Sequence, residues 1–214
     1  MLLLTDVSAV YGQGEMKLQE DSLGTPFYKG TWITGIAGSI SSGSALTDTT
    51  SNRIYNNSYG FNLSTGRFFK DRWMAGLIFQ ANRQNSEQFI IMESEQLFIG
   101  PHIQHYISKS HTGSIFFSFS PGFSSFRQKT EMRQNGLSQE QKIKGNGFGV
   151  IMGFGYSYLL HRRIAFDLRM NLSNSWINAE TESQPSGSRT NQSIQVGELS
   201  FSFGFNVLLD SFFF

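Results

Sequence analysis

Along much of the chain apolar and uncharged polar residues alternate one for one, the period of a strand whose two faces meet different surroundings. The last segment is the clearest. Leu199, Phe201, Phe203, Phe205, Val207 and Leu209 fall on one side, and Glu198, Ser200, Ser202, Gly204 and Asn206 on the other. Residues 164–173 set Ile164, Phe166, Leu168, Met170 and Leu172 against Ala165, Asp167, Arg169, Asn171 and Ser173. Residues 114–125 and 147–158 repeat the pattern, and noisier versions occupy 31–40, 58–68, 73–82 and 96–106. The pattern predicts eight strands, the one around Trp32, Ile36 and Ile40 being the least regular. Helical periodicity is almost absent. No apolar run reaches the roughly 18 residues of a transmembrane helix, whereas a barrel strand needs only about 9–11.

The connections sort by length. Lys70–Arg72, the stretch near Ser108–Thr112 and His161–Arg163 are tight. About 41–57, 83–95, 126–146 and 177–193 are long and rich in Ser, Thr, Asn, Gln and Glu. Short and long therefore alternate strictly, which fits an all-β, eight-stranded antiparallel up-and-down transmembrane β-barrel with short turns at one end and long loops at the other. An even strand number puts both termini on the short-turn side.

Composition decides which way the apolar face points. In a soluble barrel that face is the core and the other meets water; in a membrane barrel it meets lipid. Only 15% of the residues are charged, against roughly 25% in an ordinary soluble domain. Across the eight segments the polar face is mostly Gly, Ser, Ala and Asn, with Asp167, Arg169 and Glu198 as its charges, while none of the eight apolar sets, such as Tyr59, Phe61 and Leu63 in 58–68, includes a charge. A water-facing strand surface would carry Lys, Glu and Arg; small residues suit the cramped interior of an eight-stranded barrel. The chain has 21 Phe and yet a mean hydropathy of only −0.24, because two opposed faces are averaged. Trp32, Tyr59, Phe69, Trp73, Tyr106, Tyr156, Tyr158 and Trp176 fall near predicted strand ends, where interfacial aromatic girdles belong. A net charge of +1 lacks the footprint of a nucleic-acid binder, and the absence of Cys excludes disulfides and thiolate chemistry.

With its strand count, its loop alternation, the text FIGPHIQHYI and an aromatic final strand, the region of about 27–209 resembles the small outer-membrane β-barrels of Gram-negative bacteria, of the OmpA transmembrane-domain and OmpX type. The resemblance implies a bacterial outer-membrane location, periplasmic termini, extracellular long loops, and lipid and lipopolysaccharide as surroundings, with other outer-membrane proteins as candidate partners. The last strand resembles the C-terminal assembly signal of that group, although Asp210-Ser211 interrupts it before Phe213 resumes the parity. Residues 1–26 read as an N-terminal lead-in carrying the tail of a signal peptide or a plain mature N-terminus, and 27–214 as the barrel.

Candidate chemistry is sparse. Asp167 and Arg169 share a strand face and Glu198 lies on the next strand, so an Arg169–Glu198 or Arg169–Asp167 pair is expected inside the barrel, since a buried charge needs a partner. The resemblance implies that such pairs block or gate a lumen; a plain structural ion pair is the simpler reading. His102 and His105 form HxxH, which on a strand sends the two rings to opposite faces, so no metal site is expected. The predicted long loops hold no His, which leaves a rim nucleophile without its base. No phosphate-binding glycine loop follows a strand, and no cofactor or enzymatic activity is expected. The stretch FRQKTEMRQNGLSQEQKIKGN mixes Lys, Arg and Glu and reads either as a solvated loop or as a surface for a partner or lipopolysaccharide phosphates. The expected role is that of a non-enzymatic outer-membrane protein in envelope structure, surface adhesion or a larger membrane assembly, and two further roles stay open. A narrow ion-conducting pore needs a continuous polar lumen. An accessory subunit needs a Gly/Ala stripe toward a neighbour, for which Gly35, Ala37 and Gly38 are the candidates.

Overall fold

The computed structural model describes residues 26–46, 53–87, 90–134, 137–161, 163–184 and 188–210. They form β1 (Trp32–Leu46), β2 (Arg53–Lys70), β3 (Trp73–Glu87), β4 (Ile90–Tyr106), β5 (Gly113–Gln134), β6 (Leu137–His161), β7 (Ile164–Gln184) and β8 (Ser188–Leu209). Each strand pairs antiparallel with the next, and β8 pairs with β1, so the sheet is a closed barrel. Where β1 and β8 pair, from Trp32↔Leu209 to Ile40↔Phe201, closure leaves no strand edge to be satisfied by water, the condition for crossing hydrocarbon. The signal-peptide reading of the N-terminus and the parity of Phe213 fall outside the described residues.

The strands follow the alternation. Phe201, Phe203, Phe205 and Val207 point outward at 44–57% exposure, while Ser200, Ser202, Gly204 and Asn206 are buried inside. The same parity holds on every strand, and gives a belt of exposed Phe, Leu, Ile and Met around the wall. No water-soluble monomer presents a belt of that extent.

The long connections are corrected. Residues 41–46, 53–57, 83–87, 90–95, 126–134, 137–146, 177–184 and 188–193 continue the strands in register. On β5–β8 these stretches look like loops in sequence because the hydrophobic phase inverts. On β7 the last large apolar residue facing out is Trp176, and the next apolar ones, Ile177 and Ala179, face in. On β5 the switch runs from Phe123 outside to Phe126 inside, on β6 from Phe148 to Ile143, and on β8 from Leu199 to Val196 and Ile194. Phe123 pairs with Phe148 and Phe148 with Trp176, so three of these switches share one register row. Below it the outside is apolar; above it the outside is polar and the inside holds the small apolar cluster of Phe126, Ile177 and Ala179. An environment changing from lipid to water demands that inversion. The wall above the switch is tallest on β5–β8 and forms a lopsided polar rim.

Pro101 and Pro121 interrupt the β4–β5 ladder. Pairing runs to Ile99↔Phe123 and resumes at Ile103↔Phe119, a register that sets the two prolines opposite each other. Neither has an N–H to donate, so the bonds that pair would exchange are absent.

Candidate functional site in the barrel interior

The lumen is filled from the short-turn end upward. At its floor Phe27, from the lead-in before β1, is fully buried with Ile33, Phe68, Met74, Tyr106, Phe116, Ala165 and Leu208. The Phe27 ring stacks on Tyr106 at 3.9 Å between centroids. Its carbonyl accepts from Arg72 N at 2.7 Å, and Gly30 N donates to Phe68 O at 2.8 Å. The lead-in is thus clamped across the opening by backbone bonds that the β2–β3 turn would otherwise leave unmade.

The interior is less uniformly small than expected. Phe98 and Phe116 project inward, and opposite glycines make their room: a Cβ on Gly122 would sit 2.7 Å from the Phe98 ring, and one on Gly155 2.6 Å from the Phe116 ring.

Above the floor lies a buried polar layer. Arg169 Nη2 stands 3.5 Å from Asp167 Oδ2, with side-chain exposures of 7% and 5%. The guanidinium also donates to Gln104 Oε1 at 3.2 Å and lies over the Phe116 ring, 4.9 Å from its centroid. Gln104 Oε1 faces His102 Nε2 at 3.1 Å, and His102 Nδ1 faces Ser120 Oγ at 2.7 Å. Because the Gln104 oxygen only accepts, His102 donates through Nε2, and its Nδ1 accepts from the Ser120 hydroxyl. By register that last bond spans the wall where the prolines interrupt the ladder. The chain Ser120–His102–Gln104–Arg169–Asp167 therefore links three strands, β4, β5 and β7, by side chains.

Of the two arrangements open to Arg169, the structure places it beside Asp167. Glu198 sits at another level. Arg169 pairs in register with Ser202, four residues along β8 from Glu198, or about 13 Å at 3.3 Å per residue. Glu198 accepts from Ser58 Oγ at 3.1 Å and from Asn82 Nδ2 at 2.8 Å. Between these two levels Ile78, Phe98 and Ile151 pack together across the lumen. The cavity bounded by Gln80, Asn82, Gln96, Phe98, Ile151, Ser173 and Ser175 holds about 10 Å³, space for about one water.

The aromatic margins follow the outward parity with one exception. Tyr59, Phe69, Trp73, Tyr156, Tyr158 and Trp176 are exposed on the outside, and Trp32 begins β1 on the outward parity of Ile36 and Ile40. Tyr106 is corrected: it is fully buried at the floor. Residue 106 shares even parity with His102 and Gln104, and so points in. His105, of odd parity, points out and stacks on Trp73 at 4.2 Å. The small-residue stripe is corrected as well. Gly35 and Ala37 share the inward parity of Ser39, and only Gly38 lies on the outer face with Ile36 and Ile40. The sequence reading missed the His102–Ser120 bond and the Phe27 plug. Parity alone brings His102 and Ser120 inside; their meeting depends on the register of β4 against β5.

No family model matches this chain, and no curated relative does. Solved structures do. The outer membrane protein OprG from Pseudomonas aeruginosa is 12% identical, with a TM-score of 0.59 over 87% of this chain and 100% of that one. A major outer membrane protein from Thermus thermophilus is 9% identical, with a TM-score of 0.51 over 84% and 99%. At such identities the likeness is one of fold: an eight-stranded transmembrane barrel of the outer-membrane type.

Proposed function

We propose that this chain is a non-enzymatic integral protein of the bacterial outer membrane whose role is carried by its polar rim. The observation that supports the reading most is the inversion of hydrophobic phase along one register row on adjacent strands. It gives the wall a lipid-facing lower part and a water-facing upper part. Both termini then lie on the periplasmic side and the rim is extracellular. The Asp167–Arg169 pair acts as part of a packed plug, with the Phe27 floor below it and the Ile78–Phe98–Ile151 layer above. That filling speaks against the narrow-pore reading, and with the inward-facing Gly35 and Ala37 the accessory-subunit reading loses its stripe. What remains is a barrel that anchors and presents a tall asymmetric rim, the architecture of an envelope or surface-contact protein. Two measurements test this. Folded protein should run with heat-modifiable mobility in detergent gels, and planar bilayers holding it should stay at baseline conductance. Discrete conductance steps from the parent chain would overturn the plug, and extraction as a monomer without detergent would overturn the membrane assignment.

A further inference from the structure

The outward side of the β5–β6 ladder carries a column of matched residues. Upward from the belt it reads Phe123↔Phe148, Ser125↔Asn146, Arg127↔Lys144, Lys129↔Lys142 and Glu131↔Glu140. Like charges directly opposite on an antiparallel pair are destabilising, so each basic pair requires something that offsets it. The upper pair is neutralised within the ladder. Lys129 Nζ lies 2.6 Å from Glu131 and 3.6 Å from Glu140, and Lys142 Nζ 2.9 Å from Glu140. The lower pair is not: among the described residues no carboxylate oxygen lies within 4.0 Å of Arg127 or Lys144. Glu180, opposite Lys144 in register, is held by Arg189 at 3.5 Å. Glu95 stands in register between Arg83 on β3 and Arg127 on β5, one carboxylate facing two guanidinium groups.

The height of the lower pair is informative. Arg127 lies four residues above Phe123, about 13 Å along the strand and roughly 9 Å along the membrane normal at the usual tilt. A headgroup layer is roughly 5–8 Å deep, so the two backbones stand at its outer edge, from which long Arg and Lys side chains reach down to lipid phosphates. Arg127, Lys144, Asn146, Asn178 and Asn191, together with the carboxylate of Glu180, help line an open groove of about 850 Å³ across β5–β8, and Arg189 draws that carboxylate to itself at 3.5 Å. A guanidinium fork, an ammonium and neutral amide donors are what a phosphate monoester or diester takes.

We propose that Arg127 and Lys144 hold the headgroup phosphate of a lipid in the leaflet around the rim, with the groove's amides completing its hydrogen bonds. The bound phosphate supplies the negative charge that Glu131 and Glu140 supply one step higher. The proposal rests on the membrane reading above.

The test uses the full chain refolded into vesicles of digalactosyldiacylglycerol, a lipid without phosphate, with insertion followed by heat-modifiable mobility. Diphosphorylated lipid A or its dephosphorylated form is then added, and lipid retained by the extracted protein is read by native mass spectrometry. Two charge-assisted contacts predict about tenfold or greater preference for the phosphorylated form. R127Q/K144Q should lose that preference, while R163Q, at the short-turn end, should keep it. Equal retention of both lipids, or unchanged preference in R127Q/K144Q, overturns the site. Binding of inorganic phosphate at millimolar concentration without any lipid retention also overturns the lipid assignment. Failure to insert overturns the membrane reading and this proposal together; insertion without discrimination overturns this proposal alone.

Discussion

Asp167 and Arg169 are each nearly excluded from solvent, so removing one leaves the other as an uncompensated buried charge. Arg169→Gln should cost about 3–5 kcal/mol of unfolding free energy, and the double variant Asp167→Asn/Arg169→Gln should recover most of it. Urea titration read by the folded gel band checks both; a single variant as stable as the parent would show that the pair contributes nothing. Glycines give a second contrast. Gly122 leaves room for the Phe98 ring, and nothing lies within 4 Å of a Cβ on Gly38. Gly122→Ala should therefore cost about 1–3 kcal/mol through overpacking, while Gly38→Ala should sit within about 0.5 kcal/mol of the parent. At this scale parity was legible: it separates His102 from His105, and applied to residue 106 it turns Tyr106 inward despite its place at a strand end. Which inward groups touch was not legible, because Ser120 meets His102 only through a register that no local pattern fixes.

The elements show where local pattern stops informing. The membrane part of each strand could be read because one face is apolar and the other small. The rim could not, since its outer face is polar and its inner face only partly apolar, and Ser, Asn and Gln in both phases resemble a loop. Only the neighbouring strand shows that 126–134 and 137–146 are paired. The lead-in was equally silent, because one Phe after a Pro carries no period. Phe27→Ala should cost about 3–5 kcal/mol, the usual loss for a buried Phe, by the same urea assay. In the rim, the hydrogen bond from Lys142, with Lys129 nearby, lowers the Glu140 pKa below its ordinary 4.5. The Glu131 hydrogen bond and charge raise that of Lys129 above 10.5. A lowered carboxylate contributes stability above its ordinary pKa and loses it as pH falls through the folded value. A raised ammonium contributes below its ordinary pKa and loses it as pH rises. The quartet is therefore intact at neutral pH. Glu140→Gln should lower the unfolding midpoint slightly at pH 7, and the difference from the parent should shrink as pH falls below 4.5 and in 1 M salt.

At the scale of the whole molecule, two surfaces have exchanged their ordinary roles. The large aromatics and aliphatics lie outside, and Asp167, Arg169 and Glu198 lie inside, paired or hydrogen-bonded. That exchange explains a Phe-rich, charge-poor chain whose mean hydropathy is near zero. It also makes the central claim local and directional: odd residues of β8 touch lipid and even ones touch the packed lumen. The chain has no Cys, so single cysteines carrying nitroxide labels report without interference. The most direct measurement places them in turn at positions 200–206 of protein refolded into phosphatidylcholine vesicles, and compares collision with oxygen, which concentrates in lipid, to collision with a water-soluble nickel chelate. A lipid-facing odd side predicts high oxygen and low nickel accessibility at 201, 203 and 205, and low accessibility to both at 200, 202, 204 and 206. Nickel accessibility at the odd positions, or no alternation at all, would contradict it.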